Sequence, residues 1–358
     1  MTLKRILLLM AVLLVLGTLA YLQIRTWSSF DWKTFRRVTG GIDAFHIVCA
    51  IAIVYITYIL RALRWQIFLR PVARTRLAQL IPPQYIGFAG LALLGRPGEF
   101  IRPYLIARRE SLPVSSQLAV WTVERIFDIG AFAVLMAIDV FFFLGNVPLG
   151  SHIRSRLQIG GGVLIALVGF MGITAWGVWR NSSGVSGWIE TRLGRISGRL
   201  ARVLGQKIRA FGEGLNTIHD RSAFLQLIGV SLGIWGLIAL SYLEVLHAYP
   251  LLQAPALHTM NISRVLLLIG ASMIGSMLQL PAVGGGSQLA TISVMSSPAI
   301  FGIPKEQAVS AGMMLWLVTF MTCVPVGFWF AHHARLSLRK LTADSQREQQ
   351  QMPAQAPR

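Results

Sequence analysis

The feature that most limits this chain is a set of long apolar runs: Ile6–Leu22, Ile42–Leu60, Gln117–Leu144, Gln158–Trp179, Ala223–His247 and Ala308–Ala331. Each is long enough, at roughly 17 residues or more, to cross the ~30 Å hydrocarbon layer of a bilayer as a helix. Only 13% of the residues are charged, about half the ~25% of a soluble domain. Too little polar surface is left to cover a water-soluble core. A soluble enzyme, a disordered chain and a nucleic-acid-binding module are therefore excluded. The sequence predicts an all-α polytopic membrane protein with about six full transmembrane helices. Cys49 and Cys323 both fall in apolar runs without CxxC spacing, and read as buried thiols.

The net charge of +19 is concentrated in short connections. Arg61, Arg64, Arg70, Arg74 and Arg76 follow the second run. Arg180, Arg192, Arg195, Arg199, Arg202, Lys207 and Arg209 follow the fourth, and Arg335, Arg339 and Lys340 the last. Cytoplasmic loops carry such excess. With the N-terminus inside, all these blocks become cytoplasmic, as do both termini. Lys33, Arg36 and Arg37, with Arg154 and Arg156, fall outside. Residues 1–30 hold an uncleaved first span, although Lys4 and Arg5 before an apolar run also suit a signal peptide.

Two apolar segments do not read as simple crossings. Leu77–Ala107 is interrupted by Pro82-Pro83 and by Gly95-Arg96-Pro97-Gly98. Arg264–Ile300 is interrupted by Pro281 and Gly284-Gly285-Gly286. Backbone freed by such breaks cannot face lipid, so both are expected to be re-entrant broken hairpins; two short crossings each would also satisfy the pattern. The hairpins, at about 77–107 in a half of 31–180 and about 264–300 in a half of 223–335, hold matching places. An inverted repeat with a midplane site has this signature. Between the halves, in 181–222, apolar residues from Ile189 to Ile218 recur at spacings of three and four among Arg and Lys. That pattern predicts an amphipathic interfacial helix, or one packed on cytoplasmic loops. The Gln-rich stretch 336–358 reads as a disordered cytoplasmic tail.

Three constellations could carry chemistry. In Gly95-Arg96-Pro97-Gly98-Glu99-Phe100-Ile101-Arg102, a sharp bend brings amides toward an anion while Arg96 and Arg102 supply charge. Glu99 can pair with Arg102 at i,i+3. Glu124-Arg125-Ile126-Phe127-Asp128 places two carboxylates on one helix face at i,i+4. At that depth they need cationic partners, for which Arg61, Arg64, Arg96 and Arg102 are at hand. A purely structural ion-pair cluster explains them equally well. Gln279-Leu280-Pro281-Ala282-Val283-Gly284-Gly285-Gly286-Ser287-Gln288 lacks the ending of a nucleotide P-loop; as a membrane break it offers amides, carbonyls, Gln279, Ser287 and Gln288 to a headgroup. Asp139, Glu244 and His247 are expected near the outer ends of their spans, in reach of water. No metal-ligand spacing, nucleophile elbow or cofactor motif is discernible.

Arg61-Ala-Leu-Arg64-Trp65, Gly95-Arg-Pro-Gly-Glu99-x-x-Arg102, Glu124-Arg125-x-x-Asp128 and the Pro281–Gly286 break, in that order, resemble the lysylphosphatidylglycerol synthase transmembrane family of flippase-like proteins. The resemblance spans roughly Ile42 to Ala331. The family's late motif usually ends in Glu where this chain has Gln288, so a role requiring a carboxylate there, proton coupling included, does not carry over. No aminoacyl-transferase domain is appended, so lipid lysylation by this chain is not expected. The resemblance implies an inner-membrane protein of bacterial type that moves an anionic phospholipid or a polyprenyl-phosphate-linked lipid. Arg61, Arg64, Arg96 and Arg102 would hold the lipid phosphate. Glu99, Glu124, Arg125, Asp128, Gln279, Pro281, Gly284, Gly285, Gly286, Ser287 and Gln288 would line a groove. The partners would be membrane lipids and a lipid-synthesis enzyme, not nucleic acid. A non-transporting regulator of a lipid synthase and an integral membrane enzyme of lipid or polyprenol-sugar metabolism are the alternatives.

Overall fold

The computed structural model describes residues 31–143, 182–194, 221–280 and 284–334, with scattered positions between 155 and 173 and position 198. The first span, most of the fourth span and of the amphipathic segment after 194, Pro281 and the C-terminal tail lie outside the described residues.

A short helix α1 (Trp32–Gly40) starts on Asp31, whose carboxylate accepts the amides of Lys33 and Thr34 at 2.9 and 3.1 Å. Asp43 caps α2 (Ala44–Leu69) in the same way through the Phe45 amide. Such oxygens satisfy amides that have no intrahelical partner. Helix α2 runs past Leu60, so Arg61 and Arg64 do not trail a finished span. They sit inside its last turns and are buried.

Next come α3 (Leu77–Leu94), a 3-10 turn (Arg96–Phe100) and α4 (Ile101–Glu110). Of the two interruptions expected here, only one breaks the helix. Helix α3 continues through Pro82 and Pro83. The bonds these prolines forfeit, to the carbonyls of Ala78 and Gln79, are offset by packing: the following Gln84, Tyr85 and Ile86 are buried. The break falls at Gly95, where φ is +69°, a conformation that only glycine adopts readily. The chain then folds back so closely that a β-carbon on Gly98 would stand 2.2 Å from the Gly90 carbonyl oxygen. By length and composition α3 could cross a membrane alone; the ten-residue α4 could not.

Helix α5 (Val114–Ile138) follows and widens into a π segment at Asp139–Phe143. After α6 (Ser182–Gly194), the long helix α7 (Arg221–His247) packs along α2. The second broken unit comprises α8 (Ile262–Gly275), a 3-10 turn (Ser276–Leu278) and α9 (Gly286–Ser296). A two-residue antiparallel ladder pairs Gln279 with Gly285 and Leu280 with Gly284 across its tip. This small ladder was not expected and leaves the all-α class intact. Its arms also meet at a glycine, since a β-carbon on Gly275 would be 2.2 Å from the Gly286 carbonyl oxygen. Helix α10 (Lys305–Trp316), a π segment (Leu317–Met321) and α11 (Cys323–His333) close the fold as one run.

Long helix, broken hairpin, long helix therefore occurs twice, and the leading helices α2 and α7 are in mutual contact. The main core joins the first half of α2 to the second half of α5, α7, α8 and α10. A second core joins the end of α2 to α3 and to the start of α5. Phe45, Val48, Ile56, Leu225, Phe328 and Trp329 stay exposed on the long helices, as they do where lipid is the solvent. Among the described residues, four helices, Ala44–Leu69, Leu77–Leu94, Ser222–His247 and Lys305–His333, are long and apolar enough to cross a membrane. The chain is a multi-pass membrane protein.

Candidate functional site

At the centre of the molecule, charged side chains from α2, α4 and α5 converge in the second core. Glu124 and Asp128 share one face of α5 and point inward, both buried. Arg64 reaches them from α2 with a forked grip: Nη2 donates to Glu124 Oε1 at 2.5 Å and Nη1 to Asp128 Oδ1 at 2.7 Å. Nη1 also donates to the Ser231 hydroxyl of α7 at 3.0 Å. Arg102, just after the first break, donates to both oxygens of Glu124, and to Gln84 Oε1 at 3.0 Å. Bidentate arginine–carboxylate pairing of this kind is geometrically exacting.

Arg61 and Arg125 complete the group, each 3.8 Å from Asp128 Oδ2. Aromatic faces enclose the cations. The Arg102 guanidinium lies 4.5 Å from the Trp65 ring and 5.2 Å from that of Phe88, and Arg61 lies 5.1 Å from Phe88. Trp65 is itself fixed by donating Nε1–H to Gln117 at 3.0 Å. Each such contact is worth about 0.5–2 kcal/mol, most where water is excluded.

Four guanidinium groups here face two carboxylates, so two positive charges are left unbalanced. The surplus does not sit at the bottom of a closed core. A small cleft of about 10 Å³, open to the surface, is lined by Gly87, Phe88, Leu91, Glu99, Arg102 and Arg125. Arg125, with 37% of its side chain exposed, leads out into it. Two polar atoms at this locality, Arg125 Nε and Gln84 Nε2, are buried without a hydrogen-bond partner. The arrangement can accept an anion at the cleft without any group having to lose its present partner.

Glu99 was expected to pair with Arg102 at i,i+3, but Arg102 turns to Glu124. Glu99 instead stands 3.6 Å from Arg96. Arg96 is separate from the buried cluster, with 54% of its side chain exposed. It donates Nη2–H to the main-chain carbonyl of Ser276 at 3.1 Å, and so links the tips of the two hairpins. Of the second-break residues, Gly284 and Gly285 lie in the ladder, Gly286, Ser287 and Gln288 open α9, and Gln279 pairs with Gly285. Pro281 is outside the described residues. Beyond the Arg96–Ser276 bond, no hydrogen bond or ion pair among the described residues joins this set to the arginine cluster.

Sequence reading missed Gln84, Phe88, Gln117 and Ser231, and quoted Trp65 only as part of a motif, with no role beside Arg102. Gln84 was the most accessible signal, a buried amide in an otherwise apolar helix. It also placed Asp139 in reach of water, whereas Asp139 is 2% exposed and accepts the Ser263 hydroxyl. Glu244 meets His46 at 2.7 Å, and His247 meets the Met260 carbonyl at 2.9 Å.

Comparison with curated proteins and with solved structures yields no match. Residues 7–327 match the family described as lysylphosphatidylglycerol synthase TM region. With nearly the whole chain covered, the protein belongs to the lysylphosphatidylglycerol synthase transmembrane family, membrane proteins of lipid metabolism or transport.

Proposed function

We propose that this chain binds an anionic phospholipid, or a polyprenyl-phosphate-linked lipid, and moves its headgroup across the membrane. The observation that carries the reading is a buried cluster of four guanidinium groups and two carboxylates beside a cleft lined by Arg102, Arg125 and Glu99. A buried cluster that served stability alone would gain by balancing its charges; one that waits for a phosphate gains by leaving cations over. Arg102 and Arg125 line the cleft and are the direct phosphate ligands in this reading. Arg61 and Arg64 supply field rather than contact, because both are turned toward Asp128. Arg96, beside the cleft-lining Glu99, meets the lipid at the rim. The second break receives the headgroup on the other side. In this arrangement both hairpins are re-entrant from opposite faces, the membrane is a bacterial-type inner membrane, and both termini are cytoplasmic.

The test is transfer of fluorescent phosphatidylglycerol in proteoliposomes, read by quenching of the outer leaflet. Wild type should raise the transferred fraction above protein-free vesicles, and Arg125→Gln should lower the rate at least about tenfold, the value of one charge-assisted contact of ~1.5 kcal/mol. The folded yield should be unchanged, because Arg125 is partly exposed. Wild-type rates equal to those of empty vesicles, with a stoichiometric enzyme co-purifying, would replace transport with the regulator reading.

A further inference from the structure

Outside the arginine cluster, one buried carboxylate among the described residues stands without an ionic partner, Asp139. Asp139 opens the π segment at the end of α5, one turn before Phe143. Near it in sequence, Met136 and Val140 on its own helix belong to the main core, as do Val265 and Leu266, which follow Ser263 on α8. Oδ1 accepts the hydroxyl of Ser263, itself buried. Oδ2 is buried and has no partner.

The cation nearest in sequence to Ser263, Arg264, makes no ion pair with Asp139: its guanidinium lies 5.8 Å from the Phe301 ring, and its Nε is buried without a hydrogen-bond partner. On α7, Glu244 is occupied by His46 and His247 by the Met260 carbonyl. The helical stretch that covers Val140 at Gly161 carries no ionisable side chain at its described positions. The contrast lies on the same helix, where Glu124 and Asp128 are each held by guanidinium groups. A lone carboxylate in a dry site costs several kcal/mol that a single hydroxyl does not return. One proton removes that cost. When the proton leaves, the Ser263 hydroxyl and the positive end of the α8 dipole face the anion.

We infer that Asp139 is a proton-binding site: the carboxylate takes a proton from water onto Oδ2 and carries it as a neutral acid within the membrane domain. No other bond forms or breaks. The site is distinct from the lipid cleft and does not depend on the transport reading.

The experiment uses the purified full chain in nanodiscs. Dicyclohexylcarbodiimide, an apolar reagent for protonated carboxyl groups, is applied across a pH series and the adduct located by peptide mass spectrometry. The adduct should form on Asp139 and be lost as pH rises. It should be the same in sodium and choline chloride, and absent from Asp139→Asn; Glu124 and Asp128 should stay unlabelled. Infrared difference spectra of wild type against Asp139→Asn decide the matter independently of reagent access, by the C=O stretch of a dry carboxylic acid. Asp139→Asn keeps the acceptor for Ser263 and should fold with wild-type yield. A carboxylate stretch alone at every pH overturns the inference, as does protection by sodium at fixed pH, which would make the ligand a metal cation.

Discussion

Glu124→Gln is the substitution that most directly probes the electrostatics of the cluster. The change is nearly isosteric, so packing is kept while one of two negative charges disappears. Arg64 and Arg102 both lose an anionic partner at hydrogen-bond distance, and the surplus rises from two positive charges to three. At an effective dielectric constant of ~20, each lost charge contact at ~4 Å is worth roughly 4 kcal/mol before desolvation. Relief of the cost of burying Glu124 returns part of this. Breaking one member of a buried pair nets about 3–5 kcal/mol. Thermal unfolding in detergent should show an apparent melting point lower by about 5–15 °C. Arg102→Gln reduces the surplus instead, and should cost less than Glu124→Gln. The double variant should be more stable than the two single losses added together, with a coupling of about 1–3 kcal/mol. Phosphatidylglycerol, added to the detergent, should restore Glu124→Gln more than it stabilises the wild type. A Glu124→Gln protein within about 0.5 kcal/mol of wild type, the usual range for surface substitutions, would refute the whole account of the cluster.

Gly98→Ala should abolish folded yield, because its β-carbon would meet the Gly90 carbonyl at 2.2 Å and backbone would have to move; size-exclusion profiles check this. Gly130→Ala, where nothing lies within 4 Å of the added carbon, should instead leave the melting point level or raise it by a degree or two, since alanine gains up to ~1 kcal/mol over glycine in a helix. Trp65→Phe keeps a ring beside Arg102 but deletes the donor to Gln117. It should cost about 1–3 kcal/mol through the unsatisfied amide, read by the same thermal assay. Ser231→Ala removes one acceptor from Arg64; because two carboxylates remain, the loss should stay near 1 kcal/mol.

Much of the site could be read from spacing because helices impose it. Glu124 and Asp128 at i,i+4 had to share a face, and their depth had to bring cations to them. What spacing could not give was the identity of each partner. Arg64 and Glu124 are sixty positions apart, and Arg61 and Arg64 resembled the basic blocks that mark a cytoplasmic loop. Only the extension of α2 by two turns turns them inward. The prolines of α3 misled for a related reason: local preference argued for a break at Pro82, and burial of the turn after it prevailed. The break at Gly95 was legible because a glycine–proline cluster leaves few alternatives. Asp139 was misplaced because distance from a span's end measures depth along the helix and says nothing about what covers the side chain. The pairing of hairpin tips left no mark in the sequence, since one partner is main chain.

That last contact has an evolutionary corollary. The acceptor for Arg96 is the carbonyl of residue 276, which every amino acid possesses. Drift at position 276 is therefore silent for the bond between the two hairpins, so long as the backbone keeps its course. All the heritable control over that bond rests on a single codon, the one for Arg96. A lineage could make or lose this tie between the two hairpin tips by changing one side chain, without any compensating change in the other half.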